Sequence, residues 1–127
     1  MTQRILIADD HPLFRDAVKL AVAKAAPAAE VVDCGNFGEA LAALRRGAAV
    51  DLVLLDLYLP DVDGFSGLLQ LRSEYSQLPV AVVSACDEVE VISKAIGFGA
   101  RGYIPKTSSL EEICAALKVL LLIHLWT

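Results

Sequence analysis

Short apolar runs rich in branched residues alternate along the chain with longer segments in which apolar residues recur at helical spacing. Five such pairs are present, which is the pattern of strand, crossover helix and parallel strand repeated. The predicted strands are Arg4–Ala8, Glu30–Cys34, Asp51–Leu55, Pro79–Ser84 and Gly102–Pro105. The predicted helices are Pro12–Ala25, Phe37–Arg46, Phe65–Tyr75 and Glu88–Phe98, and a fifth begins near Ser109. The pattern predicts an α/β fold, a doubly wound five-stranded parallel sheet with helices on both faces.

The third predicted strand is nearly continuous in apolar residues, with the sequence DLVLLD. An alternating strand would have one face in water, whereas a continuous apolar strand is covered on both faces of a parallel sheet. We therefore expect this strand in the middle of the sheet.

Composition narrows the class of protein. A length of 127 residues fits one domain, and 56% hydrophobic with 6% aromatic residues indicates a core of Leu, Val, Ile and Ala. The formal net charge of −5 argues against direct binding of nucleic acid, which needs clustered Lys and Arg. No signal segment and no apolar run of the ~20 residues needed for a membrane span are present. We expect a cytoplasmic protein with no membrane contact.

The three cysteines, Cys34, Cys86 and Cys114, are widely spaced and include no C-x-x-C pair. An odd number at this spacing fits neither a disulfide framework nor a zinc site. They are predicted to be buried or half-buried free thiols.

The end of the fifth helix departs from the usual amphipathic pattern. Residues 119–127 form an atypical apolar tail, since Val119 to Trp126 is apolar all round except for His124. Such a segment cannot turn one face to water as a surface helix does. Two interpretations are equally weighted: the tail packs against a partner, or the chain has been cut or altered there.

Polar residues follow the predicted strands at their carboxyl ends, and these residues are Asp9, Asp10, Asp56, Ser84 and Lys106. In an open parallel sheet these ends meet at one edge, where ligands bind. Three carboxylates there repel one another unless a cation intervenes. Oxygen ligands without a His or Cys cluster favour a hard ion, Mg²⁺ or Mn²⁺. The lysine and serine could then bind phosphoryl oxygens.

An acidic pair, a strand-end Asp, a strand-end Ser and a late Lys, in this order and spacing, resemble the receiver domain of two-component response regulators. The resemblance covers nearly the whole chain through the segments ILIADDHPLFR, DLVLLDLYLPDVDG, VAVVSACD and GARGYIPK. The first and last segments look most like the NarL/LuxR type. The resemblance implies one receiver domain over residues 1–127, with a flavodoxin-like fold and strand order 2-1-3-4-5.

The resemblance also implies roles for the acidic residues. Asp56 would be the nucleophile and phosphate acceptor. Asp10 and Asp56 would bind Mg²⁺ directly, and Asp9 would act mainly through a coordinated water. Tyr58 would offer its backbone carbonyl to the metal, so that its side chain affects only access.

The remaining implied roles concern the phosphoryl group and the response to it. Ser84 and Lys106 would bond the incoming phosphoryl oxygens. Tyr103 would be the aromatic switch that turns inward when Ser84 moves. The domain would catalyse its own phosphorylation and dephosphorylation, with no turnover of an external substrate expected.

The partners that the resemblance implies are a sensor histidine kinase and, on phosphorylation, a second copy of the domain. Full-length members of the NarL/LuxR type carry a helix-turn-helix domain that regulates transcription. That output domain is absent from this chain, so we expect contact with DNA only through such a domain.

Two departures from the usual receiver pattern stand out. In many receivers Pro follows the lysine, whereas here Thr107 follows Lys106 and Pro105 precedes it. Cys86 and Tyr58 lie where they could obstruct a hydrolytic water, which predicts a rather long-lived acyl phosphate.

Two other classes of protein share parts of this pattern. A haloacid-dehalogenase-like phosphohydrolase needs a second Asp two residues after the nucleophile, where this chain has Tyr58. The alternative kept open is a pseudo-receiver, an interaction module that works without phosphate. His11 is expected to have a local role at the start of a helix beside Pro12, and Asp61 and Asp63 to be turn residues.

Overall fold

A computed structural model describes residues 2–123, the last of them by its backbone alone. Strands β1 to β5 are Arg4–Ala8, Glu30–Cys34, Leu52–Asp56, Val80–Ser84 and Gly102–Pro105. Helices α1 to α5 are Pro12–Ala25, Phe37–Arg45, Ser66–Glu74, Val89–Gly97 and Leu110–Ile123. The strands form one parallel sheet in the order β2-β1-β3-β4-β5. The predicted fold class and strand order are confirmed.

The predicted boundaries were wrong by one residue at several ends. Strand β3 begins at Leu52 because the Asp51 carboxylate accepts a hydrogen bond from the Arg4 backbone N–H at 2.8 Å. Strand β4 begins at Val80, after Pro79, which has no N–H to donate to a neighbouring strand. Helices α2, α3 and α4 are shorter than predicted because residues assigned to them serve as caps.

The sheet separates two apolar cores. On β1, Leu6 and Ala8 face the core covered by α2, α3 and α4, while Ile5 and Ile7 face the core covered by α1 and α5. This division follows from the alternation of side chains along a strand. Helices therefore cover both faces and leave the carboxyl edge of the sheet open for a site.

Strand β3 lies in the middle of the sheet, as its continuous apolar sequence predicts. All five of its residues are buried, including Asp56 at its carboxyl end. An apolar strand thus carries one carboxylate to the sheet edge and holds it there by packing.

Helix α5 extends into the apolar tail. Leu120 and Leu121 are buried, and Leu120 packs so closely over Gly102 that a Cβ there would lie 3.2 Å from its Cδ2. Val119 and Leu122 remain exposed, so one face of these turns does meet water, contrary to the expectation for this part of the tail. The rest of the predicted tail, from His124 onward, lies outside the described residues. Among residues 2–123 no helix combines the length and hydrophobicity needed to cross a bilayer.

Candidate functional site: a carboxylate pocket at the carboxyl edge

Strand register brings the first and third strands' acidic residues side by side. Ala8 on β1 is the register partner of Leu55 on β3, so the next residues along, Asp9 and Asp56, are neighbours at the sheet edge. Both are buried, at 0% and 2% exposure. The Asp9 backbone N–H donates to the Cys34 carbonyl at 3.0 Å, which extends the β1–β2 pairing to the pocket.

Lys106 places its ammonium group against both carboxylates. Its Nζ atom lies 2.8 Å from Asp9 Oδ2 and 3.1 Å from Asp56 Oδ2. The Phe14 ring lies beside the ammonium, with its centroid 5.2 Å away, and adds a cation–π attraction. The backbone of Lys106 is held in place by pairing with β4, because its N–H donates to the Ser84 carbonyl at 2.7 Å. A cation from β5 therefore faces acids from β1 and β3.

Burial governs the electrostatics of Asp56. Removal from water raises the pKa of its carboxyl group, and the Asp9 charge acts in the same direction. The Tyr58 backbone N–H, 3.0 Å from Asp56 Oδ1, and the ammonium of Lys106 oppose that shift. The Lys106 ammonium and the Tyr58 N–H therefore stabilise the ionised form of Asp56 against the cost of burial.

Ser84, at the end of β4, and Tyr103, on β5, lie on the other side of β3 from Asp9. Ser84 is fully buried, and its Oγ accepts a hydrogen bond from the Cys86 backbone N–H at 3.0 Å. The Tyr103 hydroxyl donates to the Cys86 carbonyl at 2.5 Å. Burial raises the pKa of Tyr103, while the Ser84 hydroxyl lowers it. Both residues predicted to form the switch therefore contact the same β4–α4 loop.

The exposed side of the pocket is formed by Asp10 and His11. His11 Nδ1 lies 3.0 Å from Asp9 Oδ1, 3.1 Å from Asp10 Oδ1 and 3.8 Å from Asp56 Oδ2. Ligand atoms of these four residues all lie within 4.8 Å of one another, so the cluster could hold a metal ion.

The donor set fits the hard divalent ion expected of a receiver. Asp9 Oδ2 is buried and has no aligned hydrogen bond, although Lys106 Nζ is in ion-pair contact with it. The carboxylates of Asp9, Asp10 and Asp56 lie close together and carry more negative charge than the single ammonium of Lys106 neutralises. Mg²⁺ prefers oxygen ligands such as carboxylates and backbone carbonyls. The carbonyl of Tyr58 is the predicted backbone ligand.

Sequence reasoning missed two side chains that shape the pocket. His11 is the N-cap residue of α1, but its imidazole makes no cap hydrogen bond and turns into the pocket instead. Arg15, one helical turn later, donates to the Asp9 carbonyl at 2.5 Å and pairs with Asp33 at 2.7 Å. Helical spacing gave no signal for these contacts, because His11 precedes α1 with extended backbone and Arg15 donates to a backbone carbonyl.

A third missed contact joins two loops next to the pocket. Asp61 accepts hydrogen bonds from the backbone N–H groups of Phe37 at 3.0 Å and Gly38 at 2.9 Å, at the start of α2. Slight burial raises the pKa of its carboxyl group, but these donors outweigh that effect and the net pKa is lowered. Asp61 is therefore more than a turn residue, because it ties the β3–α3 loop to α2.

Comparisons with known proteins agree with this geometry. Residues 5–118 match the model of the response regulator receiver domain family. The chain is 39% identical over 118 residues to the glycerol metabolism activator of Pseudomonas putida, covering 93% of this chain and 53% of that protein. It superimposes on the signal receiver domain of NarL from Mycobacterium tuberculosis with a TM-score of 0.81 at 31% identity, covering 94% and 96% of the two chains. A CheY-like receiver domain from Methanospirillum hungatei JF-1 gives a TM-score of 0.86 at 25% identity, covering 99% and 98%.

The chain belongs to the response regulator receiver domain family of two-component systems, and the NarL proteins among its relatives support the NarL/LuxR type. It spans about half the length of most of the curated relatives it matches. Those relatives include proteins named as transcriptional regulators.

Proposed function

We propose that the chain is a phospho-accepting receiver domain in which Asp56 takes a phosphoryl group from the phosphohistidine of a sensor histidine kinase. The observation that carries the proposal is the lysine ammonium of Lys106 held 3.1 Å from a buried strand-end carboxylate. The family and the acidic cluster beside this pair support the same reaction.

In the proposed reaction an Asp56 carboxylate oxygen attacks phosphorus while the phosphorus–nitrogen bond to the kinase histidine breaks. The electron pair of that bond returns to the imidazole, and an acyl phosphate forms. Phosphoryl transfer passes through a loose, charge-rich transition state, so positioned cations and donors supply most of the catalysis. Lys106 and the Ser84 hydroxyl would bind the phosphoryl oxygens. Mg²⁺ or Mn²⁺, held by Asp9, Asp10, Asp56 and the Tyr58 carbonyl, would neutralise charge on the transferring group.

The acyl phosphate would change the surface of the domain through contacts that the free domain lacks. Drawn toward a phosphoryl oxygen, the Ser84 hydroxyl would loosen its hydrogen bond from the Cys86 N–H. Tyr103, bonded to the carbonyl of the same residue, would move with that loop. A two-state equilibrium biased in this way would favour a homodimer and control a transcription-regulating output domain outside this chain. This proposal places the domain, residues 1–127, in the cytoplasm with its kinase.

Mass spectrometry of the intact chain after incubation with acetyl phosphate and Mg²⁺ tests the proposal. The unaltered chain is expected to gain one phosphoryl group and Asp56→Asn none. Asp63→Asn is the matched control, because it makes the same chemical change at an exposed turn. Phosphoryl mass that persists in Asp56→Asn would show that the acceptor has been misassigned.

A pseudo-receiver that works without phosphate is the second candidate function. It would show no phosphoryl mass in the unaltered chain under the same conditions. The Lys106 contacts to two buried carboxylates favour the phosphate-accepting alternative, because an idle site would gain nothing from burying these charges.

A further inference from the structure

We infer that His11 is a metal ligand, and that its imidazole shifts the preference of the pocket from Mg²⁺ toward transition-metal ions such as Ni²⁺. The inference deepens the proposed function, because it rests on the metal site proposed for the same acidic residues. It assigns a specificity-determining role to a side chain outside the set of oxygen ligands.

Distances around the imidazole match a shared ion. His11 Nδ1 lies 3.0 Å and 3.1 Å from one carboxylate oxygen each of Asp9 and Asp10. Adjacent ligand atoms of an octahedral ion with bonds of about 2.1 Å are separated by about 3 Å. Asp56 completes a set of four residues whose ligand atoms lie within 4.8 Å of one another. Opposite ligands of such an ion are about 4.2 Å apart, so one ion could contact all four after small side-chain movements.

The groups around His11 Nδ1 make opposite demands on its proton. Lys106 Nζ lies 2.8 Å from Nδ1 and can donate to it only if that nitrogen carries no proton. In that form its lone pair faces the carboxylate oxygens of Asp9 and Asp10 at hydrogen-bond distance with no hydrogen between them. With a proton on Nδ1 the carboxylates are satisfied, but the ammonium then meets another donor. A cation bound by the lone pair and the carboxylates removes the conflict between them, and Lys106 would then donate to Asp9 and Asp56 instead of to Nδ1.

Two further observations favour binding of an ion in this pocket. The fully buried Asp9 Oδ2 contacts the Lys106 ammonium at 2.8 Å but has no aligned hydrogen bond, so it can still accept an ion. The imidazole of His11 makes no cap hydrogen bond to α1, and its side chain is 62% exposed, so an ion can reach Nδ1 from solvent.

Ligand chemistry gives the direction of the effect. Mg²⁺ prefers oxygen ligands and gains little from an imidazole, whereas Ni²⁺ and Co²⁺ bind imidazole well. Losing the imidazole should therefore weaken binding of the transition metals selectively. The carboxylates, which serve both kinds of ion, would keep the Mg²⁺ site.

Calorimetric titration of metal-free chain with Ni²⁺ and with Mg²⁺ tests the inference. His11→Gln, which keeps a polar side chain of similar length, is expected to weaken Ni²⁺ binding tenfold or more and Mg²⁺ binding less than threefold. The control is Asp16→Asn, which removes an exposed carboxylate of α1 outside the acidic cluster and should leave both affinities unchanged. Equal affinities of His11→Gln and the unaltered chain for Ni²⁺, or equal losses for both ions, would overturn the inference.

A second variant shows whether Ni²⁺ occupies this pocket. Asp56→Asn should also weaken Ni²⁺ binding, and unchanged binding would mean that Ni²⁺ sits elsewhere, which overturns the inference. Phosphorylation of the unaltered chain with Mg²⁺ tests the proposed function separately. If no phosphoryl group is gained, the proposed function is wrong. If His11→Gln leaves the ratio of Ni²⁺ to Mg²⁺ affinity unchanged, only the inferred metal preference is wrong.

Discussion

The two edges of the sheet carry charged residues in opposite ways. At the carboxyl edge, Asp9 and Asp56 are buried and share the ammonium of Lys106. At the amino edge, Arg4 pairs with Glu30 at 3.0 Å, with side chains 42% and 58% exposed. Buried charges interact strongly and are costly when unpaired, whereas exposed pairs are screened by water. Under the proposed function, charge at the carboxyl edge serves a reaction, whereas the exposed pair at the amino edge serves only local pairing.

The largest expected difference between the two edges is in the loss of stability when the cationic side chain is removed. Lys106→Met leaves two buried carboxylates without their ammonium and should lower the free energy of unfolding of metal-free protein by about 3 kcal/mol. Phosphorylation by acetyl phosphate should slow by about 10²–10³-fold, as for the loss of a transition-state donor. Arg4→Met, the matched change at the amino edge, should cost about 1 kcal/mol or less. Urea unfolding and intact-mass kinetics measure both effects. Equal unfolding midpoints for the two variants would refute the contrast.

A metal ion should stabilise the folded state through the carboxyl edge alone. Mg²⁺ at about 100 times its dissociation constant should raise the free energy of unfolding by about 2.7 kcal/mol, and chelation should reverse this. Asp10→Asn should abolish most of the effect, while Asp51→Asn at the amino edge should retain it, since its side-chain oxygen can still accept from the Arg4 N–H. Thermal unfolding with and without Mg²⁺ measures the difference. A full Mg²⁺ effect in Asp10→Asn would place the ion elsewhere.

A smaller effect is expected for the buried hydroxyl. Ser84→Ala removes the acceptor for the Cys86 N–H and should destabilise the fold by about 1 kcal/mol. Phosphorylation should slow about tenfold, the equivalent of one hydrogen bond of about 1.4 kcal/mol. The control is Ser76→Ala, at an exposed position near the amino edge, with an expected change within about 0.5 kcal/mol. Similar losses for both serines would remove the special position of Ser84.

The smallest expected effect tests the loop contact beside the pocket. Asp61→Asn keeps only one acceptor for the Phe37 and Gly38 N–H groups, and because the residue is exposed the loss at pH 7 should be about 0.5 kcal/mol. The folded-state pKa of Asp61 is lowered, so its contribution is present above the ordinary carboxyl pKa of about 4 and disappears as the pH falls through the lowered value. The stability difference between the two proteins should therefore shrink in acid. A stability difference between Asp61→Asn and the unaltered chain that stays constant from pH 7 into acid would argue against this contact. As a control, Asp63→Asn should have the same stability as the unaltered chain.

Much of the fold was readable from local pattern. The continuous apolar run before Asp56 predicted the central strand, because burial on both faces removes alternation. The predicted strand boundaries were wrong where a single contact decides them. At Asp51, the side-chain carboxylate accepts the Arg4 N–H, and β3 begins one residue later. Among the site residues, Asp9, Asp56, Ser84 and Lys106 could be found because each follows an apolar strand. The tie from Asp61 to α2 could not, since Asp in a turn sequence has an adequate local explanation.

The sequence by itself determined which residues reach the carboxyl edge, because strand and helix periodicity are local and the ends of parallel strands share one edge. Only the tertiary structure decided how those residues and their neighbours meet there. His11 and Lys106 are 95 positions apart, yet their nitrogens lie 2.8 Å from each other, and Phe14 and Arg15 complete the surroundings from α1. Such contacts depend on side-chain rotamers fixed by packing between distant segments, which hydrophobic periodicity does not record.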